Sequence, residues 1–503
     1  MQDMGSEIGP KATRREWIGL AVLALPCLLY SMDLTVLNLA VPHLTADLAP
    51  TATQLLWIVD IYGFLLAGSL ITMGTLGDRI GRRRLLLIGA ACFGATSVLA
   101  AFAWSAEVLI FARGLLGIAA ATLAPSTLSL IRNMFLNSRQ RTFAIGVWLA
   151  SFSAGGAIGP VLGGFMLSHF WWGSVFLLNV PVMLFLLAVG PLLLPEFRDP
   201  KAGKIDLLSA ALSVCAVLLV IWGVKRIAAD GFDQVSLLTM ALGIAFGVIF
   251  IMRQMLSKDP FLDISILTSP VIATALSINV LVIFMAFGSF LFMAQYLQLV
   301  LDMEPMQAGL WTAPTGLVFI VGSLATPLLT RYCRPATLIA WSLVLAFVGF
   351  AILTQINAKD SLAVLMVGIL VLCLGLAPIG TLTTDLVIGL APPERAGAAS
   401  AISETSFELG GALGIAVLGS IVTAVYRVNM AGVALPAIPD AAVARETLAG
   451  AIEVSRNIAS TEAESLLAAA KAAFTAAFKV SSFICAIMAM LTAVVAEKKL
   501  WRI

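Results

Sequence analysis

Asp33 sits in the middle of an apolar run, Leu20–Ala40, that is long enough to cross a bilayer. An ionised carboxylate at that depth costs roughly 3 kcal/mol, so intramembrane acids generally serve an ion or substrate path. Asp60, Arg113, Glu404 and Glu408 share the same kind of apolar setting. Glu404 and Glu408 are four residues apart and lie on one helical face, where each disfavours the other's charge. Arg113 needs a counter-charge, for which a carboxylate from the first or second span is the natural source. Asp33 is the first candidate for proton exchange, with Asp60 and Arg113 behind it. Such a carboxyl can be neutralised by a proton or by another cation, which makes the set a candidate ion or substrate path. The plainer readings are an Asp33 hydrogen-bonded to a neighbour, an Asp60 nearer the outer end, and glutamates solvated at the inner end. An organic cation also gains roughly 0.5–2 kcal/mol from each aromatic face it meets. Trp57 lies one turn from Asp60, with Tyr62 and Phe64 after it; Trp148, Phe152, Trp311 and Phe407 are further candidates. Any of them could instead pack or face lipid.

These residues need helices to hold them. The chain has 503 residues, 60% hydrophobic and 12% charged, which places it among all-α polytopic membrane proteins. Apolar windows of about twenty residues recur fourteen times, each a candidate span. An even count puts both chain ends on one side. Loops on that side hold Lys11, Arg14, Arg15, Arg79, Arg82, Arg83, Arg84, Arg139, Arg198, Lys201, Lys204, Lys258, Arg331, Arg334, Arg395 and Arg502, among others. The short loops opposite hold Lys225, Arg226 and Lys359. Positive charge marks the cytoplasmic side, so both termini are expected there. The first run continues past the length of a signal peptide and lacks its cleavage site, so it reads as a retained span.

Several classes fall away. The six cysteines show no CxxC spacing and read as small apolar packers, and two histidines make a metal site improbable. No cofactor is expected. HExxH and GxSxG are absent, which argues against an enzyme; so is GxxxxGK[ST], which argues against an ATP-driven pump. With a net charge of +2 and no basic tract, nucleic acid is not an expected partner.

The chain also repeats itself. Gly155-Gly156-Ala157-Ile158-Gly159 returns as Gly410-Gly411-Ala412-Leu413-Gly414, 255 residues later. Two six-helix bundles are therefore expected, at 17–195 and 270–496, with two inserted helices at 205–256 and cytoplasmic tails 1–16 and 497–503. Such folds place substrate between the halves near the midplane. An outer segment of about 47 residues, 427–474, opens with Pro436 and Pro439; it reads either as a helical hairpin over the outer mouth or as a solvated linker. In the loop between spans two and three, Gly74, Gly77 and Gly81 permit close approach. Asp78, followed by Arg79 and Arg82, can cap a neighbouring helix or pair with arginine in one state of a rocking bundle. In span five, Gly155, Gly159 and Gly163 align one smooth face, and Pro160 adds an expected kink.

The spacing Gly146-x8-Gly155-x3-Gly159-Pro160-x2-Gly163-Gly164 resembles the antiporter motif of the major facilitator superfamily. Gly74–Arg84 resembles its cytoplasmic signature, and Arg113 with Gly117 its span-four arginine motif. Asp33–Pro42, Leu55–Tyr62 and Phe176–Pro181 look like segments of its fourteen-helix drug:proton antiporters, the quaternary-ammonium, methyl viologen and fluoroquinolone exporters. The resemblance spans the chain. It implies proton-driven export of lipophilic cations, ethidium among them, by a monomer in the bacterial plasma membrane. It also implies cation recognition by acids at the positions of Glu404 and Glu408. Span ten carries no acid, unlike relatives that handle long divalent cations. A lipid or envelope-component transporter on the same fold is the alternative.

Overall fold

A backbone in hydrocarbon has no water to bond, so each apolar window must satisfy itself as a helix. The computed structural model describes residues 9–198, 206–230, 233–257, 269–357, 361–433, 441–456, 458 and 460–500, and no strand occurs among them. Within these residues, 14 helices are long and apolar enough to cross a membrane. They are α1 Arg14–Leu48, α2 Ala52–Ile80, α3 Arg82–Ala101, α4 Ala106–Met134, α5 Ser138–His169, α6 Ser174–Leu193 and α7 Leu207–Asp230. The others are α8 Gln234–Leu256, α9 Pro270–Gln295, α10 Pro305–Leu329, α11 Pro335–Leu353, α12 Leu362–Leu390, α13 Ala396–Met430 and α14 Ser460–Leu500. Capping residues mark where helices leave the interface: Thr13 with Glu16 closes the start of α1, and Thr51 with Gln54 that of α2.

In the first half α1 packs on α5, α2 on α4, and α3 on α4 and α6. In the second half α9 packs on α13, α10 on α12, and α11 on α12 and α14. The same pairing recurs with each helix number raised by eight, as a duplicated bundle with two inserted helices requires. The glycine echo belongs to this plan: Gly155 lies against the Leu28 carbonyl of α1, and Gly410 against the Val280 carbonyl of α9. Each half has its own core, around Leu23, Leu37, Tyr62 and Leu116 in one and Met285, Ile339, Phe350 and Ile369 in the other.

The inserted pair packs through α7 on α2 of the first half and on α13 of the second. Gly68 of α2 admits Leu218 and Val214 of α7, and Gly243 of α8 lies against Leu219 and Val220. Arg253 closes the pair at its end, 3.0 Å from Asp206, and holds that carboxyl down to about 2.

The outer segment differs from expectation. Helix α13 runs on to Met430 and α14 begins at Ser460, so most of 460–474 is helix rather than loop. Its run of Ala, Glu, Leu and Lys has the propensity to extend the span into water. Between them a short helix, Leu448–Ser455, buries Leu448, Ala451 and Val454 in the second half's core beside Leu466 and Ala470. Tyr426 Oη donates to the Ala444 carbonyl at 2.9 Å, and Lys471 pairs with Asp302. The segment is thus folded onto the end of its own half. Pro436 and Pro439 lie outside the described residues, as do Lys201, Lys204, Lys258, Lys359 and Arg502.

Candidate functional site

A glycine seam seats the helix that carries Asp33. Gly155, Gly159 and Gly163 of α5 face Leu28, Met32 and Val36 of α1, leaving no room for a Cβ at any of the three. Helix α5 stays helical through position 160; the Pro160 ring is outside the described side chains. Seated this way, α1 brings Asp33 Oδ2 to 2.5 Å from Arg113 Nη1 of α4, with both residues buried. Arg113 Nε donates to the Ile58 carbonyl at 3.2 Å, and its guanidinium lies 4.6 Å from the centre of the Tyr62 ring. Arg113 Nη2 and Tyr62 Oη have no partner among the described residues. Gly117 makes the approach of α2 possible, since a side chain there would meet the Tyr62 backbone.

The second half faces this ion pair with carboxyls that are held otherwise. Glu408 Oε1 accepts from Tyr30 Oη of α1 at 2.8 Å, across the divide between halves. Glu404 is buried, its Oε1 has no hydrogen-bond partner, and no arginine or lysine is in ion-pair range of it among the described residues. It lies close enough to Glu408, Tyr30 and Cys27 to interact electrostatically. Ser406, between the two glutamates, accepts from Asn279 Nδ2 of α9 at 2.8 Å, which fixes the rotation of α13.

Aromatic rings connect the two sets of charge. The Tyr30 ring lies 6.3 Å from that of Tyr62 and 5.3 Å, edge to face, from Phe152. Phe152 in turn lies 4.7 Å from Trp148. Trp148 is fully buried and donates to Thr127 Oγ1 at 3.0 Å, so it backs the wall rather than lining open space. Phe407 is half-buried and packs onto the first half's core.

Four candidates are set apart. Asp60 is two residues from Tyr62 and so points to the opposite side of α2. It shares that side with Trp57 and Phe64, whose rings are 6.3 Å apart. Phe64 packs against Ile221 and Trp222 of α7. Trp311 is exposed and makes no ring contact among the described residues.

The face that carries both chain ends is clasped shut. Asp78 accepts from the backbone N–H groups of Gly397 and Ala398, each at 2.9 Å, and so caps the start of α13. Arg82 Nε donates to Asp78 at 2.9 Å, and Arg82 Nη2 reaches the Pro393 and Glu394 carbonyls at 2.8 and 3.0 Å. Gly74 and Gly397 let the two helices close on each other, and Gly77 admits Leu85. Gly81 has φ +112°, a conformation glycine adopts without strain. A side chain there would also strike Glu196, which accepts from Arg83 N and Arg84 N at 3.1 Å and caps α3. Arg79 is half-buried and engaged. Beside this clasp, Arg132 Nε donates to the Ile388 carbonyl at 3.0 Å, and Arg141 Nε meets Asp385 at 2.6 Å.

Sequence reasoning missed Tyr30, Glu196 and Asp385. Asp385 stands in an apolar window just as Asp33 does, and the same search finds it. Tyr30 lies three residues before Asp33, on the same helical face. Glu196 carries no local signal, because its partners are more than a hundred residues away.

Chemically, the midplane offers a compensated acid–base pair on one side and two carboxyls backed by aromatic rings on the other. Such a surface presents negative charge and ring faces with few directional hydrogen bonds. No group of three or more His, Cys, Asp or Glu arranged for a metal ion occurs among the described residues.

Comparison with known proteins adds independent findings. The Major Facilitator Superfamily model matches residues 23–415. The chain is 42% identical to the multidrug efflux pump LfrA of Mycolicibacterium smegmatis over 489 residues, covering 97% of each. It is 34% identical to the methyl viologen resistance protein SmvA of Salmonella typhimurium, over 92% of this chain and 93% of that one. Among solved structures, the human organic anion transporter MFSD10 superposes with a TM-score of 0.60 at 17% identity, covering 94% of this chain and 99% of that one; that likeness concerns the fold alone.

Proposed function

The chain belongs to the major facilitator superfamily, as a multi-pass membrane transporter of the multidrug-efflux kind, and from that premise we propose that it exports lipophilic organic cations in exchange for protons. Quaternary ammonium compounds and dyes such as ethidium are the substrate class, with fluoroquinolones as a further candidate. The protein works as a monomer in a bacterial plasma membrane, with both chain ends in the cytoplasm. The clasped face is then cytoplasmic, and the described state faces outward.

The observation that carries this reading is the unequal treatment of the midplane acids. Asp33 is neutralised within the protein by Arg113. Glu404 is buried without a cation, and a charge stripped of water is costly unless something neutralises it. In the cycle, that something is either a proton or the substrate. A cation entering from the cytoplasm binds at Glu404 and Glu408 against Tyr30, Phe152 and Phe407. It then leaves on the outer side, where protons replace it. Protonation of Asp33 releases Arg113 and so passes the exchange to the first half. Opening towards the cytoplasm requires Asp78 to leave the start of α13 and Arg82, Arg132 and Arg141 to release α12 and the turn after it.

The test is ethidium efflux from energised cells, with and without a protonophore, for wild type and Asp33→Asn inserted at equal levels. Protonophore-sensitive efflux that Asp33→Asn abolishes is the expected result. A wild type that moves no cationic dye under any gradient would sink the cation reading and send the work to lipid-transport assays.

A further inference from the structure

Tyr30 joins the two halves at the depth of the acids, and it does so through an oxygen that a cationic substrate needs. Its hydroxyl donates to Glu408 Oε1 at 2.8 Å. Its ring stands between the two chemistries of the site, 6.3 Å from the Tyr62 ring that covers Arg113 and 5.3 Å from Phe152. Its backbone has little freedom, because Leu28 and Met32 on either side are seated on Gly155 and Gly159. Movement at this point is therefore movement of the side chain. Next to it, the buried Glu404 presents an unpartnered oxygen.

We propose that Tyr30 is a built-in occupant of the cation site, a specificity-determining residue whose hydroxyl satisfies Glu408 until a substrate displaces it. The inference rests on the cation-export reading above. A phenol gives Glu408 one directed hydrogen bond, whereas an organic cation gives it charge and covers Glu404 as well. Only a ligand that carries positive charge repays the displacement, so the contact sets a threshold against neutral lipophiles. Once displaced, the same ring offers its face to the ligand. The residue thus changes role within one cycle, from hydrogen-bond donor to aromatic wall.

Ethidium binding to the purified full chain, followed by fluorescence, tests this in four proteins: wild type, Tyr30→Phe, Glu408→Gln and the double variant. Tyr30→Phe keeps the ring and removes the donor. It is expected to tighten ethidium binding about tenfold, the size of one hydrogen bond to a charged group. The gain should shrink markedly in the Glu408→Gln background, since the hydroxyl then meets only a neutral amide oxygen in place of a carboxylate. In cells the KM for ethidium should fall in Tyr30→Phe while the maximal rate does not rise. Unchanged or weaker binding by Tyr30→Phe overturns the proposal, as does an equal change with and without Glu408. If wild type itself binds no ethidium, the cation-export reading fails first, which is a separate result.

Discussion

In the first half Asp33 meets Arg113 at 2.5 Å, whereas in the second half Glu404 and Glu408 face the divide with a tyrosine on one and an unpartnered oxygen on the other. Yet the helix pairs that hold them are built alike: α1, which carries Asp33, is seated on the glycines of α5, and α13, which carries the glutamates, offers its own glycines to α9. Duplication has kept the packing and let the charge diverge. One half holds a balanced ion pair; the other holds, at Glu404, a buried carboxyl with an unpartnered oxygen.

Breaking the balanced side should have the largest effect. Asp33→Asn or Arg113→Gln should each abolish dye efflux and destabilise the protein by roughly 3–5 kcal/mol, because one buried charge is left bare. The double variant should recover thermal stability without recovering efflux. If the single variants are as stable as wild type, the pair is not the compensated unit described.

Glu404→Gln acts on the other side and should lower ethidium efflux about tenfold, the scale of one charged contact. Thermal stability should hold or rise, since a costly buried charge is removed. A loss of stability equal to that of Asp33→Asn would erase the contrast between the halves.

Asp78→Asn tests the clasp, where both halves take part. Exchanging the carboxylate for a neutral amide removes a charge from the helix N-terminus at a cost of about 1 kcal/mol, which is enough to shift a two-state equilibrium several-fold. A cysteine placed at Ser400 should label faster with a water-soluble maleimide in Asp78→Asn than in the parent.

The smallest effect is expected at the exposed end of the inserted pair. Asp206→Asn removes the pair with Arg253 at a partly exposed site, so stability should change by less than about 1 kcal/mol and efflux not at all. Because Arg253 keeps that carboxyl at about 2, its contribution is complete above the ordinary aspartate range and fades only as pH falls towards 2.

Much of this architecture was legible in residue types and spacing. Fourteen apolar windows, the 255-residue glycine echo and the acids inside spans follow from what hydrocarbon tolerates. The partner of Arg113 was legible in kind, because a membrane charge demands an opposite one, and the Asp78 contact was legible as a helix cap. Direction around a helix was harder. Trp57, Asp60 and Tyr62 fall within six residues, but 100° per residue sends Tyr62 to Arg113 and the other two towards α7. The Tyr30–Glu408 contact joins residues 378 positions apart, and only the docking of two halves creates it. In the outer segment helix propensity was legible, but not that its alanine-rich end is continuous with α14.

The clasp has a further consequence for how such a protein evolves. Arg82 and Arg132 grip main-chain carbonyls of Ile388, Pro393 and Glu394, and Asp78 grips main-chain N–H groups. Main-chain receiving groups come with most amino acids, so the loop after α12 is free to drift in sequence without unlocking the door. The exceptions in the second half are Gly397, where a Cβ would strike Asp78, and Asp385, whose carboxylate holds Arg141. Variants with altered drug resistance that act through this lock should fall at these two positions and at Asp78, Arg82, Arg132 and Arg141, and rarely in the loop.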